Sequence, residues 1–137
     1  MTEKKRVLFV CVENSNRSQL AEAFARIHGG EWIEAYSAGS RPSGQINLKA
    51  IEAMRELGYN LTRHRSKSLS DIPNVEYDLV ATMGCGDECP FVRAKRHEDW
   101  NIPDPKELSP EEYRKVRDLI EAKVRAALEE LRKEPSE

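Results

Sequence analysis

Val7-Leu8-Phe9-Val10-Cys11-Val12-Glu13-Asn14-Ser15-Asn16-Arg17-Ser18-Gln19-Leu20-Ala21-Glu22-Ala23-Phe24-Ala25 passes from an apolar run, through a polar loop, into a stretch with helical spacing. Arg6 to Val10 has the β-branched and aromatic content of a central strand covered on both faces. Leu20, Ala21, Phe24, Ala25 and Ile27 or His28 make the apolar face of a helix that Gly29-Gly30 ends. The loop between them opens with a thiol, Cys11, and reaches an arginine, Arg17, six residues later. Backbone N–H groups of such a loop converge on one point, and the following helix aims its positive end there. A cysteine at a helix N-terminus beside a guanidinium is favoured as the nucleophilic thiolate. Glu13, Asn14, Ser15, Asn16, Arg17 and Ser18 are therefore the expected oxyanion-binding loop, with Arg17 forking N–H bonds onto the anion. Ser18 is placed to donate to the Cys11 sulfur, and also to cap the helix. The competing reading of Cys11 is a buried structural cysteine.

Outward from this stretch, strands and helices alternate. Trp32 to Ser37 reads as a second strand, and Ala38 to Gly44 as a loop rich in breakers. Asn47 caps the next helix, whose buried stripe is Ala50, Ile51, Met54 and Leu57 and whose stop is Gly58. The polar stretch His64 to Asn74 allows only a short helix. Tyr77 to Met83 is a third strand, followed by a loop, Gly84 to Pro90, that holds Cys85 and Cys89. A short fourth strand is expected around Asp99-Trp100-Asn101-Ile102, before Pro103-Asp104-Pro105. Ser109 and Glu112 spell a capping box for a last helix reaching about Leu131, apolar at Val116, Leu119, Ile120, Val124, Ala127, Leu128 and Leu131. Lys133 to Glu137 reads as a fraying tail.

This order predicts one α/β domain over residues 1–137, a doubly wound four-stranded parallel sheet flanked by helices. Ligands bind such sheets at the carboxyl ends of strands, near the switch in strand order. That rule gathers the loops 11–18, 84–90 and 103–105 on one rim.

Charge and composition narrow the partners. With 22 Lys+Arg against 24 Asp+Glu and a formal charge of −2, nucleic acid has little electrostatic support. No apolar stretch approaches the roughly 18 residues of a membrane span, and Met1-Thr2-Glu3-Lys4-Lys5 runs straight into a strand rather than a signal peptide. The expected location is cytoplasmic. Three cysteines are too few for a disulfide scaffold, so those that matter are expected to be catalytic, redox-active or metal-bound. Cys85, Cys89 and His97 have a spacing tolerable for zinc, but His97 reads more simply as an exposed loop residue, and no metal is expected. A 34% charged fraction with two glutamines would suit a thermophile.

The segments V-C-V-E-N-S-N-R-S-Q-L-A-E, Y-S-A-G-S, N-L-K-A-I-E-A-M, T-M-G-C-G-D-E-C-P and I-P-D-P resemble, over essentially the full length, the low-molecular-weight protein tyrosine phosphatase fold family, and within it the arsenate reductases. The resemblance implies that Cys11 attacks the central atom of arsenate or phosphate while Arg17 holds its oxygens, and that Asp104 is the general acid. It further implies that Cys85 attacks Cys11, expels arsenite and leaves a Cys11–Cys85 disulfide, which Cys89 then carries to the surface. No bound cofactor is implied; the electron donor is thioredoxin or another thiol reductant. The C-x3-C spacing is shorter than is usual in thioredoxin-coupled relatives, whereas relatives with a short M-G-C-G-D-x-C-P loop can use a low-molecular-weight thiol, so the resemblance leaves the donor open.

Some positions depart from the family pattern. Glu13 stands where glycine is common, and Asn16 replaces a frequent cysteine. Asn14, Glu22 and Ser37 match a potassium site of some reductases, but Arg65 and Lys67 stand where oxygen ligands would be needed. The expectation is that the Lys67 ammonium replaces the ion and that Asn14 holds the loop by hydrogen bonds to its backbone. The alternative is a tyrosine phosphatase that needs only Cys11, Arg17 and Asp104. Against it, Lys106 follows the Asp104-Pro105 pair where an aromatic would stack on a phosphotyrosine. Asp104 alone also reads as an ordinary turn former.

Overall fold

Lys5–Cys11 forms β1, and the computed structural model, which describes residues 4–84 and 92–133, places it inside the sheet. The other elements are α1 (Arg17–Gly29), β2 (Ile33–Gly39), α2 (Leu48–Arg55), β3 (Leu79–Thr82), β4 (His97–Asp99) and α3 (Pro110–Lys133). Short 3-10 turns occupy Leu61–Arg63 and Leu69–Asp71. The four strands run parallel in the order β2-β1-β3-β4, the architecture expected from the alternating pattern.

Burial on both faces explains why β1 reads as an unbroken apolar run. Val7, Phe9 and Cys11 belong to the larger core with Leu20 and Phe24 of α1, Met54 of α2, and Ile120 and Val124 of α3. Leu8 and Val10 face the other way, against Ala38, Tyr77 and Val80, with Leu69, Ile72 and Val75 packed over them. Each such fully buried side chain contributes about 1.5–3 kcal/mol of transfer free energy. A buried arginine ties two helices: Arg117 Nη1 donates to Ala53 O at 3.0 Å and to Glu56 Oε1 at 2.8 Å. The hydrogen bond from Arg114, outweighing desolvation with help from Arg117, holds the Glu56 carboxyl at about 2.

Several local readings shift: β3 is confined to Leu79–Thr82 rather than Tyr77 to Met83, and Leu57 and Leu119, read as part of buried stripes, are exposed. β4 lies at His97–Asp99 rather than at Asp99 to Ile102, because an edge strand is free to be charged while Trp100 and Ile102 leave the ladder to enter the core. β2 continues through Ala38 and Gly39, residues that read as loop. Glycine is required there by a close approach: a Cβ on Gly39 would lie 2.5 Å from Val12 O and 3.0 Å from Asn14 N. The Ser109 box is half made, since Ser109 Oγ accepts from Glu112 N at 3.2 Å while the Glu112 carboxylate pairs with Lys115. Both halves of a capping box occur instead at Ser68 and Asp71. Asn47 caps α2 as its sequence context predicts, its side chain accepting from Lys49 N at 2.8 Å.

Candidate active site

The loop from Cys11 to Arg17 leaves the carboxyl end of β1, beside β3, where the strand order reverses. Its carbonyls are engaged by the neighbouring segment: Cys11 O accepts from Ser40 N, Val12 O from Arg41 N, Glu13 O from Ser43 N and Ser15 O from Asn47 N, at 3.3, 2.8, 3.1 and 3.1 Å. Carbonyls turned outward leave the opposite side of the loop to its N–H groups, as an anion cradle requires. Asn14 sits at its bend with φ of 52°, and Asn14 N donates to Cys11 Sγ at 3.2 Å.

A directed chain of hydrogen bonds ends on that sulfur. Asn14 Oδ1 accepts from Lys67 N at 2.9 Å and from Gln19 Nε2 at 2.8 Å, which fixes the amide orientation, so Asn14 Nδ2 donates to Ser18 Oγ at 2.8 Å. Ser18 Oγ lies 2.7 Å from Cys11 Sγ and donates its own proton there when the sulfur is a thiolate, which has no proton to give. Upstream, His64 Nδ1 lies 2.9 Å from Gln19 Oε1, an acceptor, and Tyr59 Oη lies 2.6 Å from His64 Nε2. Burial, opposed by the Glu22 charge, lowers the His64 pKa, so the ring is neutral: Nδ1–H donates to Gln19 and Nε2 accepts from Tyr59. Every donor from Tyr59 onward points toward Cys11, and aligned bonds of this kind polarise one another.

Cys11, Glu13, Ser15, Asn16, Arg17 and Asp104 line one cavity of about 360 Å³, together with Val12, Arg41, Gly84 and Lys106. Asn14 and Ser18 do not line it; both are fully buried behind it, and Ser18 lies inside α1 bonded to the sulfur rather than capping the helix. Arg17 Nη1 donates to Met83 O at 2.6 Å and Ile102 O at 2.9 Å, so the ends of β3 and of the segment after β4 aim the guanidinium. Among the described residues its Nε and Nη2 groups have no hydrogen-bond partner. Asp104 Oδ1 accepts from Lys106 N at 3.0 Å in a turn, as the Asp-Pro pair suggested, and the residue also lines the cavity. At the mouth, Lys106 Nζ is 3.6 Å from Glu13 Oε2, which turns the carboxylate toward a cation. Tyr113 Oη donates to Asn16 Oδ1 at 2.7 Å, and burial, aided by the Asp104 charge, raises the phenol pKa, keeping it a donor.

Lys67 reaches the polar nest proposed to stand in for an ion, with Nζ 3.5 Å from Glu22 Oε1, 3.4 Å from Ser37 Oγ and 3.2 Å from Arg65 O. Burial alone would raise the Glu22 pKa, but Lys67, the Ser37 hydroxyl and Arg26, joined by His64 once acid has protonated it, overcome it and hold the carboxyl below its ordinary range. Cys85 and Cys89 lie outside the described residues; Gly84, which leads to them, has φ of 85°, where glycine is favoured. Gln19, His64, Tyr59 and Tyr113 escaped the sequence reading. The available signal was Gln19, a polar side chain at a position of α1 that is wholly buried.

Residues 6–137 match the model of the low molecular weight phosphotyrosine protein phosphatase family. The chain belongs to this family. Within it, the chain is 39% identical over 128 residues to arsenate reductase 2 of Staphylococcus saprophyticus, covering 90% of this chain and 95% of that relative. It is 36% identical over 126 residues to an arsenate reductase of Staphylococcus aureus, covering 89% and 95%. An arsenate reductase solved in its phosphate-binding state superposes with a TM-score of 0.84 at 34% identity, covering 92% of this chain and 98% of that one. The thioredoxin-dependent arsenate reductase of Corynebacterium glutamicum gives 0.77 at 31%, covering 95% and 63%. The family fold thus accounts for the whole sheet and for the cysteine loop at its switch point.

Proposed function

We propose that this chain is an arsenate reductase in which Cys11 is the nucleophile. The reading is carried by the Cys11 cavity, where a doubly hydrogen-bonded sulfur faces Arg17 and Asp104, in a chain 39% identical to a named arsenate reductase. The Cys11 thiolate attacks arsenic(V) while Arg17 and the loop N–H groups hold the oxygens, and Asp104 protonates the departing oxygen. A sulfur–arsenic adduct results. Cys85 then attacks Cys11 Sγ: the new S–S bond forms, the S–As bond breaks, and its electron pair leaves with arsenic as arsenite. Cys89 attacks Cys85, giving a Cys85–Cys89 disulfide and restoring Cys11. A thioredoxin-type protein or a small thiol supplies the electrons that reopen it, and a reducing compartment such as the cytoplasm suits that exchange.

The described helices contain none long and apolar enough to cross a membrane, and no bound cofactor is needed for these steps. A phosphatase reading is favoured by one observation, that the attack step needs only Cys11, Arg17 and Asp104, which share one cavity. Cys85→Ser separates the two: arsenate turnover should fall to background while aryl phosphate hydrolysis persists. Unchanged activity toward both substrates would favour the phosphatase. Turnover with thioredoxin and its reductase, compared with a small thiol and a glutaredoxin-type protein, identifies the donor.

A further inference from the structure

A second cavity, of about 520 Å³, opens between β2 and the 59–73 segment and shares no lining residue with the Cys11 cavity. Its charged lining is Arg26, Arg63, Arg65 and Lys67 against Glu22 and Asp71, with the rings of Tyr36 and Tyr59 beside them. The two carboxylates are already satisfied. Glu22 accepts from Ser37 Oγ at 2.5 Å and from Arg26 Nε at 2.9 Å, and Asp71 Oδ2 accepts from Ser68 N at 3.0 Å. The Arg63 and Arg65 guanidinium groups, both on exposed residues, have no ion pair or side-chain hydrogen bond among the described residues. In a chain of formal charge −2, this cleft is a local surplus of cations. With Arg26 and Lys67 paired to Glu22, the cationic excess rests on Arg63 and Arg65, whose guanidinium forks match the oxygens of phosphate-type anions.

The same cleft is wired to the catalytic loop. Tyr59 starts the donor chain that passes through His64, Gln19, Asn14 and Ser18 to Cys11. Arg65 O accepts from Gln19 Nε2 at 2.8 Å, so the peptide that carries one arginine also holds the loop's anchor. We propose that this cavity is an accessory binding site for a small multivalent phosphate-type anion, held by Arg63 and Arg65 and coupled to Cys11 through the Tyr59-to-Ser18 chain. By linkage, an anion there changes affinity at the Cys11 cavity, and occupancy of the Cys11 cavity changes anion affinity by the same factor.

The test is a titration of the full chain with inorganic pyrophosphate, followed by amide and arginine-side-chain NMR signals. Two saturable responses with different midpoints are expected, one at residues 11–18 and one at Tyr59, Arg63, His64 and Arg65. The double variant Arg63→Gln/Arg65→Gln should weaken the second at least tenfold and, because the two sites are coupled, move the midpoint of the first by twofold or more; a first midpoint that stays put would overturn the coupling. Both substitutions are on exposed residues, and an unchanged Tm checks the fold. A single midpoint shared by both sets of signals, a second response that survives in the double variant, or no saturation at the rear cleft would each overturn the proposal.

Discussion

Ser18 Oγ, which accepts from the Asn14 amide, lies 2.7 Å from Cys11 Sγ, so it donates its proton to the sulfur whenever Cys11 is a thiolate. A hydrogen bond to a charged group is worth about 1.5–3 kcal/mol, or roughly 10- to 150-fold in rate if it is made to the attacking thiolate. Ser18→Ala should therefore lower arsenate kcat/KM by about 10- to 150-fold on this scale. Alkylation of Cys11 by iodoacetamide at neutral pH should slow in parallel. An unchanged alkylation rate would mean that Ser18 only packs the loop.

Lys67 predicts indifference to potassium. With its ammonium beside Glu22, Ser37 and Arg65 O, added potassium chloride should leave KM for arsenate no different from matched sodium chloride. Lys67→Met should open the nest, so that potassium then lowers KM or raises Tm relative to sodium. Potassium stimulation of the unmodified protein would reject the ammonium's role.

Gly39→Ala tests how tightly β2 sits under the Cys11-to-Arg17 loop. The added methyl would meet Val12 O and Asn14 N, both backbone atoms, so the loop itself must move. Overpacking of this kind costs about 1–3 kcal/mol of stability. A shift near 1 Å in the loop is expected to cost on the order of 10²-fold in kcat. Urea unfolding and steady-state kinetics on the same variant measure the two losses.

Acid should destabilise the protein through two neighbouring groups. The folded His64 pKa is lowered by burial, so below about 6.5 the unfolded chain takes up a proton that the folded chain refuses, and stability falls as pH drops. The Glu22 pKa is lowered despite burial, because His64, Lys67, Ser37 and Arg26 together favour the charge. Its contribution is present above about 4.3 and is lost as pH falls through the folded value. The urea midpoint should thus decline between pH 7 and 5, and His64→Gln should flatten that interval while leaving the steeper decline below it.

The Glu13–Lys106 pair at the cavity mouth is half-exposed on both sides, so it is worth at most about 1 kcal/mol and matters more for access than for stability. Lys106→Tyr restores a ring beside Asp104-Pro105 and releases Glu13. It should raise aryl phosphate hydrolysis several-fold and leave Tm unchanged. A fall in both aryl phosphate and arsenate activity would show instead that Lys106 helps to hold the Asp104 turn.

Much of this molecule is legible without coordinates because the relevant forces are local. The apolar run Val7 to Val10, the Asn47 cap and the spacing of Val116, Ile120 and Val124 are set by periodicity and by side chains that bond their own backbone. The Cys11-to-Arg17 loop is legible for the same reason: strand, loop and helix are contiguous, and their dipoles are aimed by chain direction alone. β4 is not legible in this way because apolar content reports burial, and the residues of an edge ladder are free to be polar.

Sequence by itself determined the parallel sheet and the rim on which Cys11, Arg17 and Asp104 meet. Tertiary structure alone decided what holds the sulfur and aims the arginine. The chain from Tyr59 to Ser18, the carbonyls of Met83 and Ile102 on Arg17, and Gly39 beneath Val12 join residues far apart in sequence. Such contacts leave no periodic trace, because a buried polar side chain is satisfied by whichever partner the fold brings within about 3 Å.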